Sequence, residues 1–431
     1  MRIDLTLISW VIALIVGYYV ALFLVSLARR RPPVGGAAPL MVVLVPARNE
    51  ELVLDETLRS LTGLAYDGEH RVLVVDDAST DATAEIVGRW SALDWRIRAS
   101  HRVLPEAAQG KSEVLNHAHH LVVGWHREDD PWLGGRGPED VVLVIVDADG
   151  QLERHALQRV APYFTDPAVG SVQIGVRIAN ARDNALARMQ DIEFVGFSWL
   201  VQIARDWIGS SGLGGNGQFT RLSALMTLPG DPWRRGALTE DLDLGLRLVA
   251  DGWRTRFCHV TYVEQQGLSA WKPLLRQRTR WIQGHYQCWR HLGALATSRR
   301  APLVARLDLM LYLVLVVTVL LVSFTVVVGL LGVVGLVEVT NDLLLVVPYG
   351  EPRRLASLTM SVLPVVIFLG TYQRHSAHPF RWHQLPAAAL AFTCYGYVWL
   401  WVSMRALANL ALRRNAWVKT PRLGQQAALA D

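Results

Sequence analysis

Long apolar stretches frame a middle section in which short apolar runs alternate with polar, helix-like segments. The first stretch, residues 5–27, is long enough to cross the hydrocarbon core of a membrane. Its charges, Arg29 to Arg31, follow the apolar residues, whereas a signal peptide carries its positive charge before them. We therefore interpret residues 1–30 as an uncleaved transmembrane anchor, whose arginine-bearing end lies in the cytoplasm.

Further apolar stretches return near the C-terminus and predict transmembrane helices over residues 305–412. They lie at about 307–336, 355–372 and 385–410. The basic tail, 413–431, is also expected in the cytoplasm, which requires an even number of crossings after the cytosolic unit. Three stretches give an odd number.

Two arrangements would restore an even number of crossings, and the sequence leaves the choice open. The run from 307 to 349 is long enough for two helices that turn near Gly329–Gly335. Alternatively, one stretch is re-entrant or lies along the membrane interface. The last stretch, which contains Pro386 and Arg405, is a fair candidate for that placement.

The middle section, 39–268, has the pattern of an α/β domain. Three of its runs consist almost entirely of Val, Leu and Ile, as in strands that are buried on both faces: LMVVLVP (40–46), RVLVVDD (71–77) and VVLVIVDADG (141–150). Helical patterns lie between the runs, at 50–62 and 112–124. We predict a parallel, Rossmann-like sheet in the cytoplasm, with its ligand at the carboxyl ends of the strands.

Polar or acidic residues follow each of these three strands, as PARNEE, DDAST and DADG. Because alternate side chains of a strand point the same way, Asp147 and Asp149 face the same side. Two such carboxylates suit Mg²⁺ or Mn²⁺ held together with phosphate oxygens. An isolated Asp-X-Asp is more often a solvated turn, but the companion strand ends favour a metal–diphosphate site.

Composition narrows the class of protein. The 431 residues are 51% apolar and 19% charged, so the chain is not disordered, and its net charge of +5 is modest. We expect no nucleic-acid partner. The three cysteines have no Cys-X-X-Cys spacing, which argues against a disulfide framework or a thiolate zinc site. Only three of the 43 basic residues are lysine, which makes Lys111 a candidate for a specific role in balancing phosphate charge, with a surface position equally open.

Two nucleotide-binding motifs fail on context. PEAAQGKS (105–112) ends like a P-loop, but Pro105 stands where the first glycine must be, and no strand leads into it. GLGGNG (212–217) formally matches Gly-X-Gly-X-X-Gly, but it follows a tryptophan-rich helical segment rather than a strand. Neither motif supports an ATPase or a dehydrogenase.

The segment ALTEDLDLGLRLVADGW (237–253) predicts a helix that is capped by Thr239 and ends near Gly252. Glu240 and Asp241 lie in its first turn. By itself, that placement is ordinary complementation of the helix dipole.

A second segment, RQRTRWIQGHYQ (276–287), carries three arginines and a tryptophan shortly before the apolar stretches. It belongs to a region, 269–300, that we interpret as interfacial helices. A belt of positive charge on the cytoplasmic side of the membrane would explain Arg276 and Arg278. It would not explain the Gln-X-X-Arg-Trp spacing.

Taken in order, these motifs resemble those of the membrane-embedded family 2 glycosyltransferases, the group that includes cellulose, chitin, hyaluronan and poly-N-acetylglucosamine synthases. The resemblance covers about 40–290 and the flanking membrane segments. It rests on the segments VPARNEE, VVDDAST, GKSEVLN, DADG, GNGQFTR, TED and QRTRW. It implies a GT-A fold embedded between transmembrane helices, a nucleotide-diphosphate sugar as donor, usually UDP-linked, and inversion at the anomeric carbon.

The resemblance also implies a role for individual residues. Asp241 would be the general base, with Glu240 beside it, and Asp147 and Asp149 would hold Mg²⁺ or Mn²⁺. The donor would be bound by Pro46, Arg48, Glu50, Asp76 or Asp77, Lys111, Asp147, Asp149, Gln277 and Arg280. The acceptor would meet Gly215, Asn216, Gly217, Arg221 and Trp281.

The chemistry of an inverting transfer agrees with these roles. It is one in-line displacement, so it needs a single base for the acceptor hydroxyl. It also needs positive charge on the departing diphosphate, which a metal ion and Arg280 would supply. A glycoside hydrolase would instead need two carboxylates flanking the bond.

Three functions remain open. The leading hypothesis is a synthase that polymerises a polysaccharide and moves it through its own membrane segments in the inner membrane, with envelope export partners. The alternative is a glycolipid synthase that adds one sugar to a membrane lipid, because ceramide glucosyltransferases share a related motif. A transporter or a non-catalytic partner is the third, and the intact carboxylates count against it.

Overall fold

The computed structural model describes residues 2–36, 38–340 and 351–412. The chain begins with a short strand, β1 (Arg2–Asp4), followed by helix α1 (Thr6–Leu27). Apolar side chains cover all sides of α1, and most of them are exposed, as expected for a helix that faces lipid. The helix matches the predicted anchor in position and length.

The middle section, 39–268, which we call the catalytic unit after its expected role, is built on one eight-stranded sheet. Its strands are β2 (Leu40–Ala47), β3 (His70–Asp77), β4 (Ile97–Arg102), β5 (Val141–Ile145), β6 (Gln151–Leu152), β7 (Val169–Ile178), β8 (Gln218–Arg221) and β9 (Arg254–Gln265). They are ordered β4-β3-β2-β5-β8-β7-β9-β6. The three apolar runs form β2, β3 and β5, as predicted.

The sheet is mixed rather than parallel throughout. Strands β2 to β5 pair in parallel, but β8 is antiparallel to both β5 and β7, and β6 is antiparallel to β9. Strands β7 and β9 also pair in parallel. The predicted parallel sheet is therefore confirmed for these strands and for β2 to β5, and it is wrong for β6 and β8. Strand β8 has four residues and only one of them is apolar, so it lacks the pattern that identified the other strands.

Helices cover both faces of the sheet. They are α2 (Leu54–Thr62), α3 (Thr83–Leu93), α4 (Lys111–Arg127), α5 (Ala156–Val160), α6 (Ala185–Phe197), α7 (Ile203–Ile208), α8 (Leu222–Met226) and α9 (Glu240–Ala250). Successive residues of β2 point to opposite faces: Val43 belongs to the core that contains Leu58 of α2, and Val42 to the core that contains Leu115 of α4. The two predicted helices correspond to α2 and α4.

The remaining elements belong to the interfacial and C-terminal regions. They are α10 (Trp271–Gln287), α11 (Leu292–Thr297), α12 (Leu303–Val333), β10 (Glu338–Thr340), α13 (Glu351–His375), α14 (Leu385–Gly396) and α15 (Val398–Ala411). Helix α12 is continuous, and the chain turns only at Gly335, where φ is +75°. Residues 307–333 therefore belong to one helix that continues through Gly329, whereas residues 341–349, where a second helix would lie, are outside the described residues. The tail, 413–431, lies outside the described residues.

Three segments of the described residues are long and apolar enough to cross a membrane: Thr6–Leu27, Leu303–Val322 and Trp382–Ala411. Strand β1, which precedes α1, pairs with β10, which follows α12. The start of α1 and the end of α12 therefore lie at the same end of the helical region. At the opposite end, Arg29 Nη2 lies 3.2 Å from His375 Nε2, at the end of α13.

A buried ion pair joins the anchor, α12 and the catalytic unit. Arg205 of α7 is fully buried, and its Nε lies 3.1 Å from Oδ2 of Asp308 in α12. Tyr18 of α1 donates to Asp308 Oδ1 at 2.6 Å, and Ser210 donates to Oδ2 at 2.8 Å. Burying two charges is favourable only when they are paired and hydrogen-bonded, so these groups hold the three elements in one arrangement.

We expect Asp308→Ala to destabilise the protein by about 3–5 kcal/mol, because it leaves the Arg205 charge buried and unpaired. Asp251→Ala is the control, because Asp251 pairs with the exposed Arg300 and its loss should cost less than about 1 kcal/mol. Unfolding of the purified protein in detergent, followed by circular dichroism, measures both. Equal stability losses for the two variants would contradict the proposed importance of the buried pair.

Candidate active site

A cavity of about 390 Å³ opens at the carboxyl ends of β2, β3 and β5. It is walled by residues from the catalytic unit, from α10 and from α12. Fourteen of the predicted site residues line it: Pro46, Arg48, Glu50, Asp77, Lys111, Asp147, Asp149, Gly215, Asn216, Glu240, Asp241, Gln277, Arg280 and Trp281. The fold therefore brings together segments that are more than 200 residues apart in the chain.

The two aspartates at the end of β3 have different surroundings. Asp77 lines the cavity and accepts from Arg102 Nη1 at 2.5 Å and from the backbone N–H of Ala108 at 3.1 Å. Asp76 does not line the cavity, because its side chain is engaged by Ser79 and by His101, whose Nδ1 lies 3.2 Å away. Of the two candidates for a contact to the donor base, only Asp77 is in position.

Lys111 is the central cation of the site. At the start of α4, its Nζ lies 2.5 Å from Asp147 Oδ1, 3.3 Å from the carbonyl oxygen of Gly215 and 3.8 Å from Glu240 Oε1. Burial alone would lower the pKa of Lys111, but the charges of Asp147, Glu240 and Asp241 outweigh it and raise that pKa. Lys111 is therefore charged, and it is not the surface lysine that was the other interpretation.

The loop before β8 shapes the floor of the cavity. Asn216 accepts from the backbone N–H of Asp147 at 3.2 Å and donates to Gln265 Oε1 at 2.9 Å. Gly215 has φ +72°, and a Cβ there would lie 3.0 Å from Asp241 Oδ2 and 3.4 Å from Lys111 Nζ. Glycine is needed for both its conformation and the close approach of these charged groups.

Two residues predicted on the acceptor side lie away from the cavity. Gly217 has φ +66°, and a Cβ there would be 2.6 Å from the side chain of Ile174, so this glycine serves core packing. Arg221 is buried, and its guanidinium donates to backbone carbonyls of Glu139, Phe164, Asp166 and Val169. The structure therefore gives Arg221 a structural environment at the far end of β8 from the loop that shapes the cavity.

Asp241 has the surroundings of a general base. It lies in the first turn of α9, where its Oδ1 accepts from the backbone N–H of Leu242 at 2.8 Å. Burial, followed by the negative charge of Glu240, raises the pKa of Asp241 to about 7. A general base works best when its pKa is near the working pH, because enough of it is then unprotonated and it is still basic enough to accept the proton.

Helix α10 closes the cavity from the membrane side. Gln277, Arg280 and Trp281 all line the cavity, and Arg280 Nη1 donates to the carbonyl of Leu238 at 3.3 Å. The approach of α10 depends on Gly284, because a Cβ there would lie 2.9 Å from the backbone nitrogen of Thr239. That close contact places the Gln-X-X-Arg-Trp helix directly against the start of α9.

The arginine beside this motif has a different environment from the one expected. Arg278 is fully buried, with its Nη2 2.9 Å from Glu193 Oε2 and its guanidinium 3.9 Å from the centre of the Trp281 ring. A belt of positive charge facing the membrane surface is therefore the wrong explanation for Arg278. Its ion pair and its stacking instead fix the orientation of Trp281.

The cavity also contains residues that the sequence did not single out, among them His285 and Tyr312. Tyr312 belongs to α12, and His285 of α10 lies next to it in the cavity wall. The distance between His285 Nε2 and the backbone carbonyl oxygen of Tyr312 is 3.1 Å. His285 is four residues after Trp281, so helical spacing could have placed the two on one face. Tyr312 lies in the run of apolar residues that follows Asp308 in α12, where the apolar pattern does not distinguish it.

The carboxylates fit a divalent metal that is shared with a phosphate-bearing ligand. Among the described residues, no cluster of three or more His, Cys, Asp or Glu forms a metal cage. Asp147 and Asp149 both line the cavity, however, and Mg²⁺ in such sites needs only one or two carboxylates together with phosphate oxygens. The donor set consists of hard oxygen atoms, as these ions prefer.

Comparison with known families identifies the protein class. A family model described as "Glycosyltransferase like family 2" matches residues 38–284, more than half of the chain. The chain belongs to this family. The matched residues run from β2 to Gly284 of α10, so the family 2 glycosyltransferase match includes all the predicted site residues.

Two curated relatives of this family 2 glycosyltransferase align with most of its length. Beta-monoglucosyldiacylglycerol synthase of Nostoc sp. is 29% identical over 98% of this chain and 86% of the relative. The protein of the same name from Synechocystis sp. is 29% identical over 89% of this chain and 74% of the relative. The predicted family and enzyme class are confirmed, but these relatives are not polymer-forming synthases by name.

A solved structure confirms the GT-A fold. Mannosyltransferase PcManGT from Pyrobaculum calidifontis, in complex with GDP-Man and Mn²⁺, matches with a TM-score of 0.56. The match covers 88% of this chain and 94% of that chain, at 18% identity. Because the identity is low, this likeness establishes only the fold of our family 2 glycosyltransferase, which is GT-A with a mixed sheet.

Gly284→Ala should impair catalysis, because its methyl group would push α10 away from Thr239 and move Arg280 and Trp281. A displacement on the order of 1 Å can cost about 10²-fold in rate. Gly293→Ala is the control, since a Cβ at that helical position meets nothing within 4 Å. Initial rates at saturating donor measure the effect, and two variants of equal activity would contradict the role of this contact.

The pH profile should report the base. Because a general base acts unprotonated, we expect kcat/KM to rise with pH and to level off above about 7, the raised pKa of Asp241. Glu240→Gln removes a negative charge that raises this pKa, so its midpoint should move to lower pH. Rates measured from pH 5 to 9 in buffers of constant ionic strength test this, and a midpoint that does not respond to Glu240→Gln would contradict the assignment.

Proposed function

We propose that the protein is a glycolipid synthase that transfers one hexose from a UDP-sugar to the hydroxyl group of a membrane lipid, with inversion. The observation that carries this proposal is the alignment, over 98% of the chain, with a relative named beta-monoglucosyldiacylglycerol synthase. This favours the alternative hypothesis over the polysaccharide synthase, and it makes diacylglycerol the first acceptor to test. Envelope export partners are not needed for such a reaction.

The composition of the cavity supports a lipid acceptor. One part is charged and contains Lys111 and Asp147, as a nucleotide diphosphate requires. Another part is aromatic, with Phe194, Phe197 and Tyr312, and Tyr312 belongs to the apolar helix α12. A lipid headgroup entering from the membrane would meet this aromatic wall first and would present its hydroxyl near Asp241.

Each site residue has its own role in the proposed displacement reaction. Asp241 takes the proton from the acceptor hydroxyl as the new glycosidic bond forms at the anomeric carbon. Lys111 and Arg280 place positive charge near the diphosphate as the old bond breaks. A bound Mg²⁺ or Mn²⁺, held by Asp147 and Asp149, would stabilise the same developing charge. Trp281 offers a face on which the acceptor or the transferred sugar stacks.

We also propose a topology that satisfies the even number of crossings. Helices α1 and α12 cross the membrane, and α13 crosses it with its apolar stretch 355–372, although α13 is not among the three segments named above. This arrangement leaves the catalytic unit and the tail in the cytoplasm. Helices α14 and α15 lie along α10 at the interface, since Asn409 of α15 contacts Gln283 and Tyr395 of α14 contacts Arg278. Helix α10 carries Lys272, Arg276 and Arg280, which would be costly within hydrocarbon. In this topology the segment Trp382–Ala411, although apolar enough to cross the membrane, stays at the membrane interface because it packs against α10.

Inside-out membrane vesicles from cells that express the protein test both proposals. With radiolabelled UDP-glucose, Mn²⁺ or Mg²⁺ and added diacylglycerol, we expect a solvent-extractable product whose mass is that of the lipid plus one hexose. Parallel assays with UDP-galactose, UDP-N-acetylglucosamine and GDP-mannose identify the donor. Donor added from outside should be used without permeabilisation, because the cytoplasmic face is exposed in these vesicles.

Asp241→Asn should lower the rate by about 10²–10⁴-fold, as expected for loss of a general base. The matched control is Asp251→Asn, which lies at the end of the same helix and should retain activity. A high-molecular-weight, glycosidase-sensitive product would contradict the single-transfer proposal and restore the polysaccharide synthase. Activity that required permeabilised vesicles would contradict the proposed orientation.

A further inference from the structure

A cluster of cationic and aromatic side chains lies outside the active-site cavity, where α1 and α13 both end. The guanidinium carbon of Arg29 lies 4.5 Å from the centre of the Trp199 ring. His375 stacks on the same tryptophan, with ring centres 3.7 Å apart and an interplanar angle of 9°. Arg374 adjoins His375, and the ring of His259 lies 5.7 Å from that of Trp199. We call these five residues the arginine–tryptophan cluster.

The cluster contains an excess of positive charge, and the described residues do not pair it with carboxylates. Within the described ranges, neither Arg29 nor Arg374 has a carboxylate oxygen within 4 Å. The nearest acidic group that influences His259 is Asp206, but both of its oxygens are occupied by Arg256. Burial and the charge of Arg374 lower the pKa of Arg29, as expected for cations that crowd one another.

The C-terminal part of the sequence also has more basic than acidic residues. From residue 352 to residue 430 the chain contains no Asp or Glu, whereas it contains nine Arg and Lys residues. An excess of basic residues beside a membrane segment attracts anionic lipids. An anion from outside the chain would balance this charge.

The location of the cluster indicates which anion is available. Arg29 lies two residues beyond the last residue of the apolar helix α1, at the level where lipid headgroups begin. The exposed Trp207 lies beside it and donates from its indole nitrogen to the carbonyl of Ala28 at 2.5 Å. Tryptophan is enriched at this level of a membrane, because its ring is apolar and its N–H is polar.

We propose that the arginine–tryptophan cluster binds the phosphate of an anionic phospholipid from the cytoplasmic leaflet. The guanidinium groups of Arg29 and Arg374 would donate to the phosphate oxygens in charge-assisted hydrogen bonds. Trp199 holds Arg29 and His375 in place through its ring. None of the five residues lines the active-site cavity, so this lipid is distinct from the donor and from the lipid that accepts the sugar.

Native mass spectrometry of the full-length protein in a nonionic detergent tests the proposal. The protein is titrated with phosphatidylglycerol, with phosphatidylcholine of the same acyl chains, and separately with inorganic phosphate. We expect wild-type protein to retain phosphatidylglycerol at least roughly tenfold more tightly than phosphatidylcholine. Arg29→Gln combined with Arg374→Gln should abolish this preference, while the corresponding double lysine variant should keep most of it.

The matched control removes the same charge elsewhere. Arg59 and Arg89 are exposed residues of the catalytic unit that both pair with Asp55, and changing both to Gln should leave the preference intact. Unfolding midpoints without added lipid check that all variants are folded. Equal retention of phosphatidylglycerol by the wild type and by the Arg29/Arg374 glutamine variant would overturn the proposal. The proposal would also be overturned if the protein retained inorganic phosphate as tightly as phosphatidylglycerol. That result would indicate a site for free phosphate.

Discussion

The active site depends on one lysine placed among carboxylates. Six acidic residues line the same cavity, among them Asp147, Asp149, Glu240 and Asp241, and like charges gathered in one cavity repel one another. The ammonium group of Lys111 touches Asp147 and lies within 4 Å of Glu240, so it offsets part of that repulsion. Burial, followed by the charge of Glu240 that Lys111 does not fully offset, raises the pKa of Asp241 to about 7, which suits the role of a base. A donor diphosphate with its metal ion would enter a site whose charges are already arranged.

A second constraint is the contact between this site and the membrane region. Helix α10 reaches the start of α9 only because Gly284 has no side chain, and the pair Arg278–Glu193 fixes the face that α10 presents. The same helix packs against α15 and lies beside α12. An acceptor that arrives from the lipid bilayer would reach Asp241 along the surface of α10, as a glycolipid synthase requires.

Motif order and apolar runs were sufficient to predict the elements that carry the chemistry. Strands β2, β3 and β5 are continuous apolar runs, so their carboxyl ends, with Asp77 and Asp147, could be placed at one edge of a sheet. Features that arise only from three-dimensional packing were not predictable. Gly217 and Arg221 belong to a recognised motif, yet one relieves a clash with Ile174 and the other binds carbonyl groups. Likewise, Tyr312 lies in the run of apolar residues that follows Asp308 in α12, and the partner of Arg278 is 85 residues away in the chain.

The stereochemistry of the transfer tests the central claim most directly, since a single base and a single displacement require inversion at the anomeric carbon. The measurement is the proton NMR coupling constant of the anomeric hydrogen in the first isolated glycolipid, made from a UDP-sugar with an α-linked donor bond. The large coupling of a β-glucoside or β-galactoside is the predicted result. An α-linked product would contradict the account, because retention needs either a second displacement or a different geometry around Asp241.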